Sequence, residues 1–235
     1  MWTQGGRCWP AELCAPTGRA GWAYSRRGYG ASDPIPRVRE PHTPPPPGGL
    51  WHQGRHAPNY MAHEAANILP RVLEAWGAQH PVLVGHSDGA TIALLHSAGH
   101  PVTACVAMAP HVLVENVTLR AIQQAREAYL QTPLRDRLAR YHQAVDNAFW
   151  QWNDVWLSED FAGFDVRSDC RRIHCPLLLV QGQDDAYGTW AQLEAINQAV
   201  PHAQQLRLAP CGHSPHRDQP DTLTQALVAW LAGLD

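Results

Sequence analysis

The sequence predicts an α/β fold: a mostly parallel sheet flanked by helices and interrupted by a helical insertion. Short, continuous apolar runs at residues 81–85, 102–108 and 176–182 read as strands buried on both faces. Stretches with helical spacing lie among them, the alternation from which parallel sheets are built. Residues 111–172 break that rhythm, with two helical patterns and no strand. The expected division is a core of residues 1–110 and 173–235 carrying a helical cap at 111–172.

The first strand expected is residues 21–25 (GWAYS), followed by the turn-rich RRGYGASDP. Residues 34–58 are rich in Pro and Gly, with Pro44 to Pro47 consecutive, and predict an irregular connection. Residues 60–76 place Met61, Ala65, Ile68, Leu69 and Leu73 on one helical face, while Pro70 should kink or restart that helix. Strand 81–85 leads into a small apolar helix at 88–98, and strand 102–108 follows. Within the insertion, Leu134, Leu138, Tyr141, Val145, Phe149, Trp152 and Trp156 recur at steps of three or four. After strand 176–182 come a helix at 189–199, a weaker strand at 206–208 and a closing helix at 221–231.

A chain of 235 residues is long enough for one sizeable core with an insertion. The formal charge of −3 has no acidic or basic blocks behind it, and the 18 cationic residues are scattered arginines. Neither nucleic acid nor a membrane surface is therefore an expected partner. Six dispersed cysteines do not form a disulfide scaffold. The opening MWTQGGRCWP lacks the pattern of a signal peptide, and no run reaches membrane-spanning length. A cytoplasmic, reduced protein is the expectation, in which the sequon Asn116-Val117-Thr118 carries no glycan.

The run at 81–85 ends in Gly85-His86-Ser87-Asp88-Gly89, between a strand and a helix. A serine hydroxyl is a poor nucleophile until a base takes its proton and the backbone presents it openly. A sharp strand-to-helix turn does the presenting, with Gly85 and Gly89 expected where side chains would collide. The helix that follows brings backbone N–H groups, that of Asp88 first, beside an oxygen turning negative under attack. The Asp88 side chain itself also suits the first turn of a helix. An acid and a base follow in order. Gln183-Asp184-Asp185 comes after strand 176–182, and Cys211-Gly212-His213 after strand 206–208. Both lie at carboxyl ends of parallel strands, on the sheet edge that carries Ser87. Either aspartate can serve, the other capping its turn. His216 is expected to pack or cap locally. Cys211-x-His213-x-x-His216 has no matching further ligand set, so neither a metal nor any other cofactor is expected.

Four stretches together resemble the α/β-hydrolase fold family, and within it the lidded, single-domain serine hydrolases. They are RRGYGASD at 26–33, VLVGHSDGA at 82–90, LLLVQGQDD at 177–185 and CGHSPHRDQP at 211–220. They are similar, in turn, to the loop after the fourth strand, the nucleophile elbow, the acid loop and the histidine loop of that family. The resemblance spans residue 20 to the end, and the helical block falls where such enzymes insert a cap. It implies Ser87 as nucleophile, His213 as base and Asp185, rather than Asp184, as acid. The Asp88 amide is the implied oxyanion donor. The implied activity is carboxylesterase-like: cleavage of a carboxylic ester or related acyl bond of a small molecule through an acyl-enzyme. His86, Phe149, Trp152 and Trp156, with Trp150 beside them, are candidates for a substrate pocket, and the aromatic residues are equally suited to the insertion's own core.

The family sheet begins with three further strands, the third followed by a His-Gly-type loop that gives a second oxyanion amide. No such strand precedes residue 21, whose strand resembles the fourth. The first strands are therefore expected to be missing, with Met1 an internal methionine of a longer protein. The alternatives are a gap filled by residues 2–14 or by a partner chain, or a non-catalytic relative that binds small molecules. The sequence sets neither the acyl group nor the oligomeric state.

Overall fold

The computed structural model describes residues 3–4, 7–35, 38 and 56–234. The chain divides into two compact units. One comprises Met1–Trp22, Met61–Val117 and Asp165–Asp235, and the other Ala23–Tyr60 and Thr118–Phe164. The described part of 23–60 thus falls with the helical block.

In the first unit a short antiparallel hairpin joins β1 (Thr3–Gln4) to β2 (Arg7–Cys8). The main sheet has four parallel strands: β3 (Val82–His86), β4 (Ala104–Met108), β5 (Leu177–Gly182) and β6 (Gln204–Leu208), in that spatial order. Register runs from Val82 beside Ala104, through Cys105 beside Leu177, to Gly182 beside Leu208. Every residue of β4 and β5 is buried, whereas β3 alternates between buried and half-buried and β6 buries only Leu208. The order explains the composition: inner strands covered on both faces need unbroken apolar runs, while outer ones do not. All four runs read as late strands thus form strands, within a residue or two of the expected bounds.

Residues 21–25 form no strand. Trp22 is 55% exposed, and the segment has no ladder partner among the described residues. Strand-like composition cannot make a strand without a neighbour to take its hydrogen bonds. Most of the Pro-rich connection at 34–58 lies outside the described residues.

Helix α1 (Trp9–Thr17), not foreseen from the sequence, has Pro10 in its first turn and ends on Gly18 at φ +64°. Its Trp9 and Leu13 join Val106, Met108, Leu178, Val180, Leu208, Leu223 and Leu227 in one core cluster. The segment therefore covers a face of the sheet instead of adding a strand to it. The expected helix at 60–76 is three pieces: α2 (Tyr60–His63), a π turn (Glu64–Ile68) and α3 (Leu69–Ala75). Pro70 accounts for the break, since it lacks the N–H owed to Ala66 and its ring crowds that carbonyl, which a wider turn relieves. α4 (Asp88–Ser97) follows β3, as expected.

Three helices form most of the second unit: α5 (Asn116–Gln131), α6 (Leu134–Ala139) and α7 (Val145–Trp156). The heptad-like run from Leu134 to Trp156 is split rather than continuous. At the break His142 Nδ1 accepts from the Gly30 N–H at 2.9 Å, and the Gln143 N–H donates back to the Gly30 carbonyl at 2.9 Å. Tyr129, Val145, Phe149 and Trp150 share a buried cluster with Val38. Arg126 pairs with Asp154 at 2.8 Å, and Arg135 with Asp146 at 2.6 Å. Back in the first unit, α8 (Arg167–Cys170), α9 (Trp190–Ala199), α10 (Pro215–Asp218) and α11 (Pro220–Ala232) complete the chain.

Candidate active site

Ser87 sits on the turn between β3 and α4 with φ +55° and ψ −125°, a conformation that L residues rarely adopt. The turn is held by the Ser87 N–H donating to the Met108 carbonyl at 2.9 Å, and by its own carbonyl accepting from Ala90 and Thr91. A Cβ on Gly85 would lie 2.2 Å from the Gly89 carbonyl oxygen and 2.7 Å from Ala90 Cα, so only glycine fits there. Gly89 does not share that restriction: a Cβ there meets nothing within 4 Å outside its own helical turn. The expectation that both glycines are sterically required is corrected to Gly85 alone. The Asp88 amide is the first of α4, at the positive end of the helix, and its side chain is buried.

His213 comes to Ser87 from the loop after β6. Its Nε2 accepts from the Ser87 Oγ–H at 3.0 Å, and its Nδ1–H faces both Asp185 oxygens, at 2.9 and 3.0 Å. Asp185 is 9% exposed. Burial pushes its carboxyl up, but the hydrogen bond and field of His213, the Tyr187 amide and the His111 field outweigh this and hold it below the ordinary value. Asp184 faces elsewhere. Its N–H donates to the Cys211 carbonyl at 2.8 Å and its Oδ2 accepts from the Cys211 N–H at 3.3 Å, which staples the acid loop to the histidine loop. At Gly182 a Cβ would lie 2.2 Å from the Cys211 carbonyl oxygen, so the two loops cross in contact.

His86 lies beneath the base. Its Nε2–H donates to the His213 carbonyl at 2.6 Å, and its ring centre is 4.9 Å from that of His213 and 4.8 Å from that of His216. Burial, followed by the field of His213, pushes its imidazole well below the ordinary histidine range. His216 is buried beside Trp9, with ring centres 5.8 Å apart, and burial lowers it to about 4. The Cys211 thiol is pushed up to about 11 by burial and then by Asp218, so it is a thiol at neutral pH, not a competing nucleophile. Among the described residues no group of His, Cys, Asp and Glu could hold a metal ion.

Phe149, Trp152 and Trp156 belong to the helical unit. Phe149 stacks on Tyr129 with centres 3.8 Å apart, and Trp152 packs edge-on against Phe149. Trp156 is 2% exposed and donates its indole N–H to the Tyr60 hydroxyl at 3.0 Å. Sequence reasoning missed several residues that shape the site. Thr91 bridges the loop after β4, donating to the His111 carbonyl at 2.7 Å and accepting from the His111 N–H at 3.1 Å. Gln192 binds the same loop at Val112 and Leu113. Burial lowers His111 to about 4, and its ring centre stands 5.9 Å from that of His213. Polar residues inside apolar runs, such as Gln181 in LLLVQG, were the available signal.

A model of the alpha/beta hydrolase family matches residues 2–226. Among curated proteins, "Putative carbamate hydrolase RutD" of Escherichia coli O157:H7 is 25% identical over 207 residues, covering 76% of each chain. The protein of the same name from Pseudomonas syringae pv. syringae is 35% identical over 69 residues, a stretch of 29% of this chain and 27% of that protein. Among solved structures, a thermophilic esterase from Thermogutta terrifontis superposes with a TM-score of 0.58 at 19% identity, over 88% of this chain and 78% of that one.

Proposed function

The chain belongs to the alpha/beta hydrolase family, and on that premise we propose that it is a serine hydrolase cleaving a carboxylic ester, or a related acyl bond, of a small molecule. One observation carries the reading: the unbroken line from Ser87 Oγ through the His213 ring to Asp185, with every heavy-atom separation at or below 3.0 Å. In that line His213 Nε2 takes the Ser87 proton as Oγ attacks the carbonyl carbon. Asp185 fixes the imidazole with its Nδ1 proton inward and stabilises the imidazolium that forms. The Asp88 amide supports the oxygen that becomes negative. The imidazolium returns its proton to the departing alcohol, leaving an acyl ester on Ser87. Water, deprotonated by the same ring, then releases the acid and restores the serine.

A carbamate, the group in the name of the RutD relatives, presents an acyl carbon open to the same attack and belongs in the substrate panel. The described cysteines are all free thiols, and a cytoplasmic setting is part of the proposal. No helix among the described residues is long and apolar enough to cross a membrane. The test is labelling by a fluorophosphonate probe. Wild type is expected to label at Ser87 and Ser87→Ala to lose the label entirely; equal labelling of the two would overturn the reading. A screen of short acyl esters and carbamates, with Ser87→Ala as control, then fixes the acyl preference.

A further inference from the structure

Gln181 is a polar residue in a strand buried at every position, and it is itself 1% exposed. Its Nε2 donates to Asp185 Oδ2 at 3.2 Å and to the Gly188 carbonyl at 2.8 Å. Both partners are acceptors, so the amide can only be oriented with nitrogen toward them. Its Oε1 is buried with no hydrogen-bond partner among the described residues. A buried amide with half its capacity unused is unfavourable, and a hydrocarbon side chain would avoid it. What the amide supplies is therefore its two N–H donors, one to the Gly188 carbonyl and one to Asp185.

The carboxylate is gripped from both sides. Oδ1 accepts from the Tyr187 N–H at 2.8 Å, two residues on in the loop, while Oδ2 accepts from Gln181, four residues back on β5. Each oxygen thus has one fixed donor, and the pair is left facing His213 Nδ1 almost symmetrically, at 2.9 and 3.0 Å. The loop amide alone would leave the carboxylate free to swing about its last torsion. The strand amide ties it to the most rigid element nearby.

We infer that Gln181 is a positioning residue that sets the rotation of the Asp185 carboxylate and tempers its pull on the His213 proton. The inference rests on the serine-hydrolase reading above. With the donor gone, the carboxylate turns more of its charge toward the imidazole, and the protonated base persists to higher pH. Other titratable groups face the pair: His86 from β3, His111 from the loop after β4, Tyr187 from the acid loop, and Cys211 and His216 from the histidine loop and α10. Burial keeps all five uncharged at neutral pH, the histidines by lowering and the Tyr and Cys by raising. The acidic limb of a rate profile therefore reports the Asp185–His213 pair as a unit.

The test compares wild type with Gln181→Met, which is similar in shape without a donor, and Gln181→Leu, which is shorter and likewise has no donor. Fluorophosphonate labelling rate is measured from pH 5 to 9, together with kcat and KM on the best ester and the melting temperature. Both variants are expected to lower the plateau rate by about tenfold, to lower kcat with KM little changed, and to move the acidic limb to higher pH. The Leu variant keeps the inference testable should the Met variant not fold. A wild-type limb and kcat in a folded variant, whatever its melting temperature, would overturn the inference while leaving a silent Ser87→Ala, and so the serine reading, intact. Labelling of Ser87→Ala like wild type would overturn both.

Discussion

The two arms of the site are held by different means. The nucleophile arm, the turn between β3 and α4, is fixed mainly by backbone: a strained Ser87, a Gly85 against Gly89, and a hydrogen bond from the Ser87 N–H to the Met108 carbonyl. The relay arm, β5 with the acid and histidine loops, is fixed by side chains: Gln181 and Asp185, Asp184 on Cys211, Asp218 on the Gly212 amide, and His86 reaching across to the His213 carbonyl. A nucleophile needs one exposed atom at one height, which a turn can supply. A relay must hold two side chains at fixed rotation, which a turn cannot, so each is tied separately.

The sharpest way to break this contrast is at the two adjacent aspartates. Asp185→Asn removes the charge that orients His213 and is expected to lower the labelling rate by about 10⁴-fold. Asp184→Ala removes only the side-chain staple to Cys211 and is expected to cost about tenfold or less. Measuring both rates at pH 8 checks it. If the two were equal, the relay arm would be a loose loop and not a bonded frame.

How much of this could be read beforehand follows the same division. Backbone-forced features are local, so the elbow, the buried runs of β4 and β5, and the acid and histidine loops stood out in the sequence. Many side-chain ties join residues far apart in the chain, and even a short one depends on how a strand runs into its loop. Gln181 is polar in an apolar run, but nothing local says that its donor meets Asp185, nor that Thr91 meets His111. Residues 21–25 show the converse failure, because apolar composition cannot name a strand's neighbour. Phe149 and Trp156 have a helical spacing that serves core packing and pocket lining alike, and only coordinates show the rings that surround them. The split at Pro70 was legible as a break, since proline's missing N–H is a property of one residue.

A second comparison lies within the nucleophile arm. Gly85→Ala places a methyl group against backbone on the opposite side of the turn, where nothing flexible can yield. It should cost about 1–3 kcal/mol, lowering the melting temperature by roughly 2–12 °C. Gly89→Ala meets open space and removes a helix-destabilising glycine, so its melting temperature should match or slightly exceed that of wild type. Scanning both variants by differential fluorimetry decides whether the glycines of the elbow are steric equals.

The last effect expected is on stability against pH, and it belongs to the imidazoles packed around the base. Burial lowers His111 and His216 from an ordinary value of 6.5 to about 4 in the folded chain. Between those two values the unfolded chain binds protons that the folded chain refuses, so stability must fall as pH drops from about 6.5 toward 4. Well above 6.5 both states hold neutral rings and the effect vanishes; below 4 it is fully expressed. From pH 7 to pH 5 each histidine should remove on the order of 1–2 kcal/mol. The check is the melting temperature at those two pH values for wild type, His111→Gln and His216→Gln. Each variant should show a smaller drop than wild type, whatever its absolute stability. An unchanged drop in both would mean that these rings are solvated in the folded chain, and that the relay arm is less tightly enclosed than its hydrogen bonds imply.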